Sequence, residues 1–102
     1  MKRLLVSDTA RADLKGIARY SEREWGRARK SQYLASIRAR FGTLRQRPEI
    51  GAKRPDIGGV YRSLPVGRHV IFYRIEDETV VIIRVLHQRM DAAALLTPMG
   101  GA

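Results

Sequence analysis

The stretch ARADLKGIARYSEREWGRARKSQYLASIRARFGTLRQRP, residues 10–48, decides the fold. Ala10, Leu14, Ile17, Ser21 and Trp25 recur at spacings of three and four, which aligns them as one stripe of an amphipathic helix. Gly26 follows at once, and glycine accepts the left-handed conformation that ends a helix with little steric strain. Leu34, Ile37, Phe41 and Leu44 repeat the spacing up to Pro48. Two stripes joined by so short a connection predict a helical hairpin, with antiparallel helices packed stripe to stripe. Trp25, at the last position of the first stripe, is expected to plug the core beside the turn.

Upstream, Lys2 to Val6 is a short apolar segment that reads as a strand. Ser7 then serves as an N-cap, and Asp8 puts negative charge in the first helical turn. Downstream, Pro48 to Gly59 holds two prolines and three glycines and reads as a loop. Val60 to Leu64 is a predicted strand and Pro65-Val66-Gly67 a turn. His69 to Ile75 and Thr79 to Leu86 are two more strands, joined through Glu76-Asp77-Glu78. Val80 to Ile83 is apolar on both faces, which predicts a central position in the sheet. Asp91 can cap a last helical turn, Ala92 to Leu96, ahead of Pro98 and a Gly100-Gly101 tail. The order is β-α-α-β-β-β with a short C-terminal helix, an α+β class. With no repeat and no linker, residues 1–102 are expected to form a single domain.

Composition narrows the chemistry. The 102 residues include no cysteine, which excludes disulfides, thiol nucleophiles and Cys-ligated zinc. His69 and His87 are the two histidines, too few for a multi-histidine metal site, so neither metal nor cofactor is expected. After Met1-Lys2-Arg3 the apolar run is only Leu4-Leu5-Val6, far shorter than a signal-peptide core. No stretch approaches the roughly 20 apolar residues of a membrane span. The reading is a soluble, cytoplasmic protein without a membrane partner.

The net charge is +10, and it is uneven. Residues 1–51 carry 13 Lys+Arg against 5 Asp+Glu, and residues 52–102 carry 7 against 5. Sixteen of the basic residues are arginine, whose planar donors suit carboxylates and phosphates. At 100° per residue, Arg27, Arg38 and Arg45 fall on one flank of the second helix's apolar stripe. Arg29, Arg40 and Arg47 fall on the other. The face opposite the core, which includes Ala35, Ser36, Ala39 and Gly42, is small and almost uncharged. A partner segment covering that face or its arginine margins is one reading. A tolerant surface, with arginine stems lying along the core edge, is the other.

The sheet half supplies Arg62, Arg68, Arg74, Arg84, His87 and Arg89 as target-binding candidates. Whether Arg74 and Arg84 share a sheet face depends on the hairpin loop between them. His87 and His69 each read first as a histidine serving structure at a strand end. Tyr61 and Tyr73 alternate with core residues and read as packing. There is no Gly-rich phosphate loop, no G-x-S-x-G elbow and no spaced metal motif. The acids of this half, Asp56, Glu76, Asp77, Glu78 and Asp91, fall in predicted loops or at a cap, which argues against a paired-carboxylate hydrolase. Metal-free RNA cleavage needs only a base, an acid and cationic stabilisation, roles open to His87, Arg62, Arg84 and Arg89. A small nucleic-acid-binding module is a third possibility. Against it, the aromatics sit at core spacings and the arginines are split between two flanks.

Ala12-Asp13-Leu14 with Ile17 and Tyr20, Trp25-Gly26, and Tyr33-Leu34 with Leu44, Pro48 and Gly51 resemble the helical hairpin of ParE toxins of type II toxin–antitoxin modules. Tyr61-Arg62-Ser63 and the run from Gly67 to Arg74 look like the same family. The run Ile83-Arg84-Val85-Leu86-His87-Gln88-Arg89-Met90-Asp91 is its most specific signature. The resemblance implies a RelE/ParE-like fold, a helical hairpin on a small antiparallel sheet. It implies a toxin that binds and poisons DNA gyrase and is neutralised by a ParD-type antitoxin whose C-terminal segment wraps it, and the +10 charge favours an acidic segment for that role. Operator DNA would be met only through that antitoxin. RelE-type relatives are ribosome-dependent mRNA endonucleases, and some place a tyrosine after the histidine where this chain has Gln88. That departure counts against RNA cleavage, while His87 and the arginines leave it open.

Overall fold

The computed structural model describes residues 1–96, so the expected Pro98 and Gly100-Gly101 tail lies outside the described residues. The chain runs β1 (Arg3–Val6), α1 (Asp8–Trp25), α2 (Arg27–Gln46), β2 (Ala52–Lys53), β3 (Arg62–Val66), β4 (His69–Glu76), β5 (Thr79–His87) and α3 (Ala92–Leu96). Ser7 caps α1 as expected: its Oγ accepts the Ala10 amide at 3.0 Å. The same hydroxyl donates to the Ile83 carbonyl at 2.9 Å, which pins the start of α1 to β5. Gly26, at φ 86°, separates the helices and accounts for the tight reversal.

The sheet order is β1-β5-β4-β3-β2. The last four strands are antiparallel, and β1 joins parallel to β5 after the helical hairpin has carried the chain across. β5 therefore has a neighbour on each side, as its two apolar faces require. One face packs under the hairpin. There Ile17 of α1 and Ile37, Phe41 and Leu44 of α2 meet Val66, Ile71, Tyr73, Val80, Ile82 and Val85. Among the described residues the opposite face is covered by the turn at Pro55–Ile57 and by α3, around Ile57, Phe72, Leu86 and Leu96.

The structure corrects four expectations. The 48–59 loop is partly ordered into two 3-10 turns and the short strand β2. Hydrogen bonds hold it, not apolar periodicity: buried Tyr73 donates its hydroxyl to the Pro48 carbonyl and accepts the Gly51 amide. The strand expected at Val60–Leu64 lies two residues later, with Pro65 and Val66 inside it. Proline is tolerated because β2 pairs only with Arg62 and Ser63, leaving β3 as the sheet edge at Pro65. β5 extends one residue further, through His87. Trp25 is not a core plug; it is 37% exposed. Its ring neighbours, Tyr20 on α1 and Tyr33 on α2, meet it edge-on and leave part of the indole open to solvent.

A bulge settles the relation of Arg74 to Arg84. The Asp77-Glu78 turn alone would put them on opposite faces, but one extra residue in β5 shifts the register, so that Arg74 lies across from Val81 and Arg84 across from Phe72. The two side chains still diverge, Arg74 to Glu76 and Arg84 to Asp13.

Candidate functional site

Among the described residues the outer edge of β5 past Val6 has no strand partner, and α1 closes over it instead. Asp13 accepts Arg84 Nε at 2.8 Å, Arg84 Nη2 at 2.9 Å and the Val85 amide at 3.0 Å. This pair ties helix to strand, and the carboxylate raises the already high pKa of the Arg84 guanidinium. Beyond it α1 and β5 diverge into a cleft of about 470 Å³. Ala12, Gly16, Ile17, Tyr20 and Trp25 form the helical wall, while Val85, Leu86 and Met90 form the apolar part of the other. Asp13, His69, His87 and Arg68 supply the polar groups.

A chain of rings crosses this region. Tyr20, Trp25, Tyr33, His69 and His87 follow one another at centroid separations of 5.4 to 6.1 Å, and the contacts at Trp25 are edge-on. The Arg68 guanidinium lies 5.9 Å over the Trp25 ring. Tyr33 is the joint between the hairpin and the sheet, because its hydroxyl meets His69 Nδ1, the Arg68 amide and the Val66 carbonyl. Burial raises the Tyr33 pKa. Burial first, and the neighbouring His87 second, lower that of His69. His87 accepts the Arg89 amide on Nδ1 at 3.1 Å, the backbone role expected of it.

The candidates named from sequence thus separate into groups. His87 and Arg68 line one cleft together with His69, and exposed Arg89 follows within two residues of His87. Arg62 does not join them. It pairs across from Tyr73, about 13 Å along β4 from the His69–His87 pair, and donates to the Glu49 and Gly51 carbonyls. Arg84 is held by Asp13 and Arg74 by Glu76. On α2, Arg27, Arg29, Arg38, Arg40 and Arg47 are exposed along with Ala35 and Ala39. Arg45 is half-buried and donates to the Lys2 carbonyl. Among the described residues no group of three or more His, Asp or Glu could hold a metal ion, and no helix is long and apolar enough to cross a membrane.

The family described as "ParE toxin of type II toxin-antitoxin system, parDE" matches residues 4–92. The chain belongs to the ParE toxin family. "Toxin ParE1" of Caulobacter vibrioides is 38% identical over 96 residues, covering 94% of this chain and 99% of that protein. Among solved structures, the chromosomal ParDE system from P. aeruginosa superposes with a TM-score of 0.75 at 22% identity, over 85% of this chain and 96% of the other, which shows a common fold. The RelBE2 toxin–antitoxin complex from Mycobacterium tuberculosis gives 0.63 at 27% identity, over 84% and 96%. The α+β arrangement implied by the sequence resemblance is therefore the one observed in this ParE-family chain. Trp25, Tyr20, Tyr33 and Met90 are the cleft residues that sequence reasoning passed over as possible site residues. Tyr20 carried a usable signal, being a large aromatic off the apolar stripe of α1.

Proposed function

We propose that this ParE-family chain arrests growth by binding DNA gyrase in the cytoplasm, without catalysis, and that a ParD-type antitoxin neutralises it. The observation that carries this reading is the dispersal of the RNase candidates. His87 has its Nδ1 on the Arg89 amide, Arg84 is matched by Asp13, and Arg62 is bound to loop carbonyls. Two of the four groups a metal-free nuclease needs in one place, Arg84 and Arg62, are committed to the scaffold, and Arg62 sits well away from the histidine. What the strand end does offer is an exposed apolar and cationic surface, which suits recognition of another protein. Charge supports the antitoxin reading, because an acidic segment complements the arginine margins of α2 around Ala35 and Ala39. Operator DNA would then be bound through the antitoxin.

The test adds purified protein to a gyrase supercoiling assay and, separately, to ribosomes translating mRNA. Inhibited supercoiling with intact mRNA is the expected outcome. Under the RelE-type alternative, mRNA is cut, and His87→Ala lowers cutting on the order of 10²-fold. That result would replace the gyrase reading.

A further inference from the structure

The outward side of α1 carries a row of positive charge that the chain leaves unmatched. Arg11, Lys15, Arg19 and Arg23 follow one another four residues apart, and all are exposed. Neighbours at that spacing lie on one side of a helix, where like charges repel and weaken it. Among the described residues none of the four has a carboxylate within ion-pair distance. Arg11 donates Nε to the Val6 carbonyl at 3.3 Å, and the Arg23 guanidinium lies 6.0 Å over the Tyr20 ring. At 100° per residue the acids on the same side of α1 are Asp8, in its first turn, and Glu22, which Lys30 pairs at 2.6 Å. The groove of about 410 Å³ beside the row sets three cations, Arg19, Arg23 and Lys30, against Glu22.

The make-up of this face selects the partner. At 1.5 Å per residue the row runs for about 18 Å, the rise of about five base pairs of B-DNA. Ala12 and Gly16 stand among the cations, both exposed, and a Cβ on Gly16 would meet nothing within 4 Å, so a large partner can approach closely. The row includes no apolar or aromatic side chain, whereas a protein segment or a bilayer is held by apolar anchors and a single strand by stacking rings. Tyr20, the nearest exposed ring, lines the cleft toward β5 instead. A rigid row suits a duplex. The major groove of B-DNA, about 12 Å wide, admits a helix, while that of an RNA duplex is too narrow and deep.

We propose that the outward face of α1 lies against double-stranded DNA, with Arg11, Lys15, Arg19 and Arg23 on its phosphates. Such contacts neutralise the row and release counterions condensed on the duplex, which gives affinity without reading bases. Recognition of an operator sequence stays with the antitoxin. The contact needs neither gyrase nor antitoxin, so it stands or falls apart from the proposed function.

The test follows the fluorescence anisotropy of a labelled DNA duplex of about 20 base pairs, titrated with the full chain between about 50 and 200 mM salt. Four phosphate contacts should make log K fall against log salt with a slope of about −3.6. At about 50 mM salt each contact contributes roughly tenfold. Lys15→Gln combined with Arg19→Gln should therefore lower affinity on the order of 10²-fold and flatten the slope by about two. Glutamine is a good helix former and relieves the repulsion, so the thermal midpoint of this variant is expected to hold or rise. Lys53→Gln, on β2, removes a charge outside the row and should change affinity about twofold or less. An RNA duplex, an oligothymidylate and polyglutamate of matching charge should each bind more weakly than the DNA duplex. No binding of the DNA duplex at about 50 mM salt overturns the proposal. So does binding unchanged in the double variant, an equal loss in Lys53→Gln, or tighter binding of any of the other three polyanions.

Discussion

Asp13 accepts three hydrogen bonds, and its removal strands a largely buried guanidinium and the Val85 amide together. Asp13→Ala is expected to lower unfolding stability by about 2–3 kcal/mol, read from the urea midpoint. Losing Arg84 leaves a carboxylate that still accepts the Val85 amide, so Arg84→Ala should be the milder change. His69 carries the pH dependence. Its folded pKa lies below the usual 6.5 because burial opposes charging, reinforced by His87 on β5 and resisted by Asp13 on α1. Tyr33 from α2 and the Arg68 amide complete its surroundings. A base depressed in the folded state binds protons more readily when unfolded. Its contribution is therefore complete above about pH 6.5 and lost as pH falls toward the folded pKa. The thermal midpoint is expected to drop between pH 7 and pH 5, and His69→Gln should flatten that slope.

At the scale of elements, the segment from Pro48 to Lys53 is ordered through Tyr73. The buried hydroxyl joins β4 to the Pro48 carbonyl and the Gly51 amide, and Arg62 reaches the same segment from β3. Tyr73→Phe should cost about 1–2 kcal/mol and raise hydrogen exchange at residues 48–53 above that of the rest of the sheet. Exchange unchanged there would place the order of the loop elsewhere. A Cβ on Gly51 would run into the Tyr73 hydroxyl, so Gly51→Ala should reproduce the effect by a steric route. The helical hairpin was legible from Ala10 to Leu44 because its periodicity records which side chains are buried. β2 was not, because two residues joined by backbone bonds leave no period. The displaced β3 has a similar cause: Pro65 reads as a turn unless the absence of a strand outside it is known.

For the whole molecule, the exposed face of α2 around residues 31–46 is the surface expected to gain protection from hydrogen exchange when the antitoxin binds. Exchange unchanged there would move the antitoxin to another surface, and a net basic toxin-binding segment would contradict the charge argument. Of the site, the sequence named His87, Arg68 and Arg89, and listed beside them Arg62, Arg74 and Arg84, which the fold commits elsewhere. Basic side chains look alike in a sequence. Only contacts distinguish Arg68, lying over an indole, from Arg84, matched by an acid 71 residues away. What the chain determined by itself was local: the apolar stripes, the Ser7 cap, the Gly26 reversal and the excess of arginine, since each depends on neighbours within one or two turns. Tertiary structure alone decided that β1 closes on β5, that one bulged residue sets Arg84 across from Phe72, and that Trp25, Tyr33, His69 and His87 meet at one cleft. Those outcomes depend on pairings between residues 8 to 76 positions apart, whose energies no local pattern records.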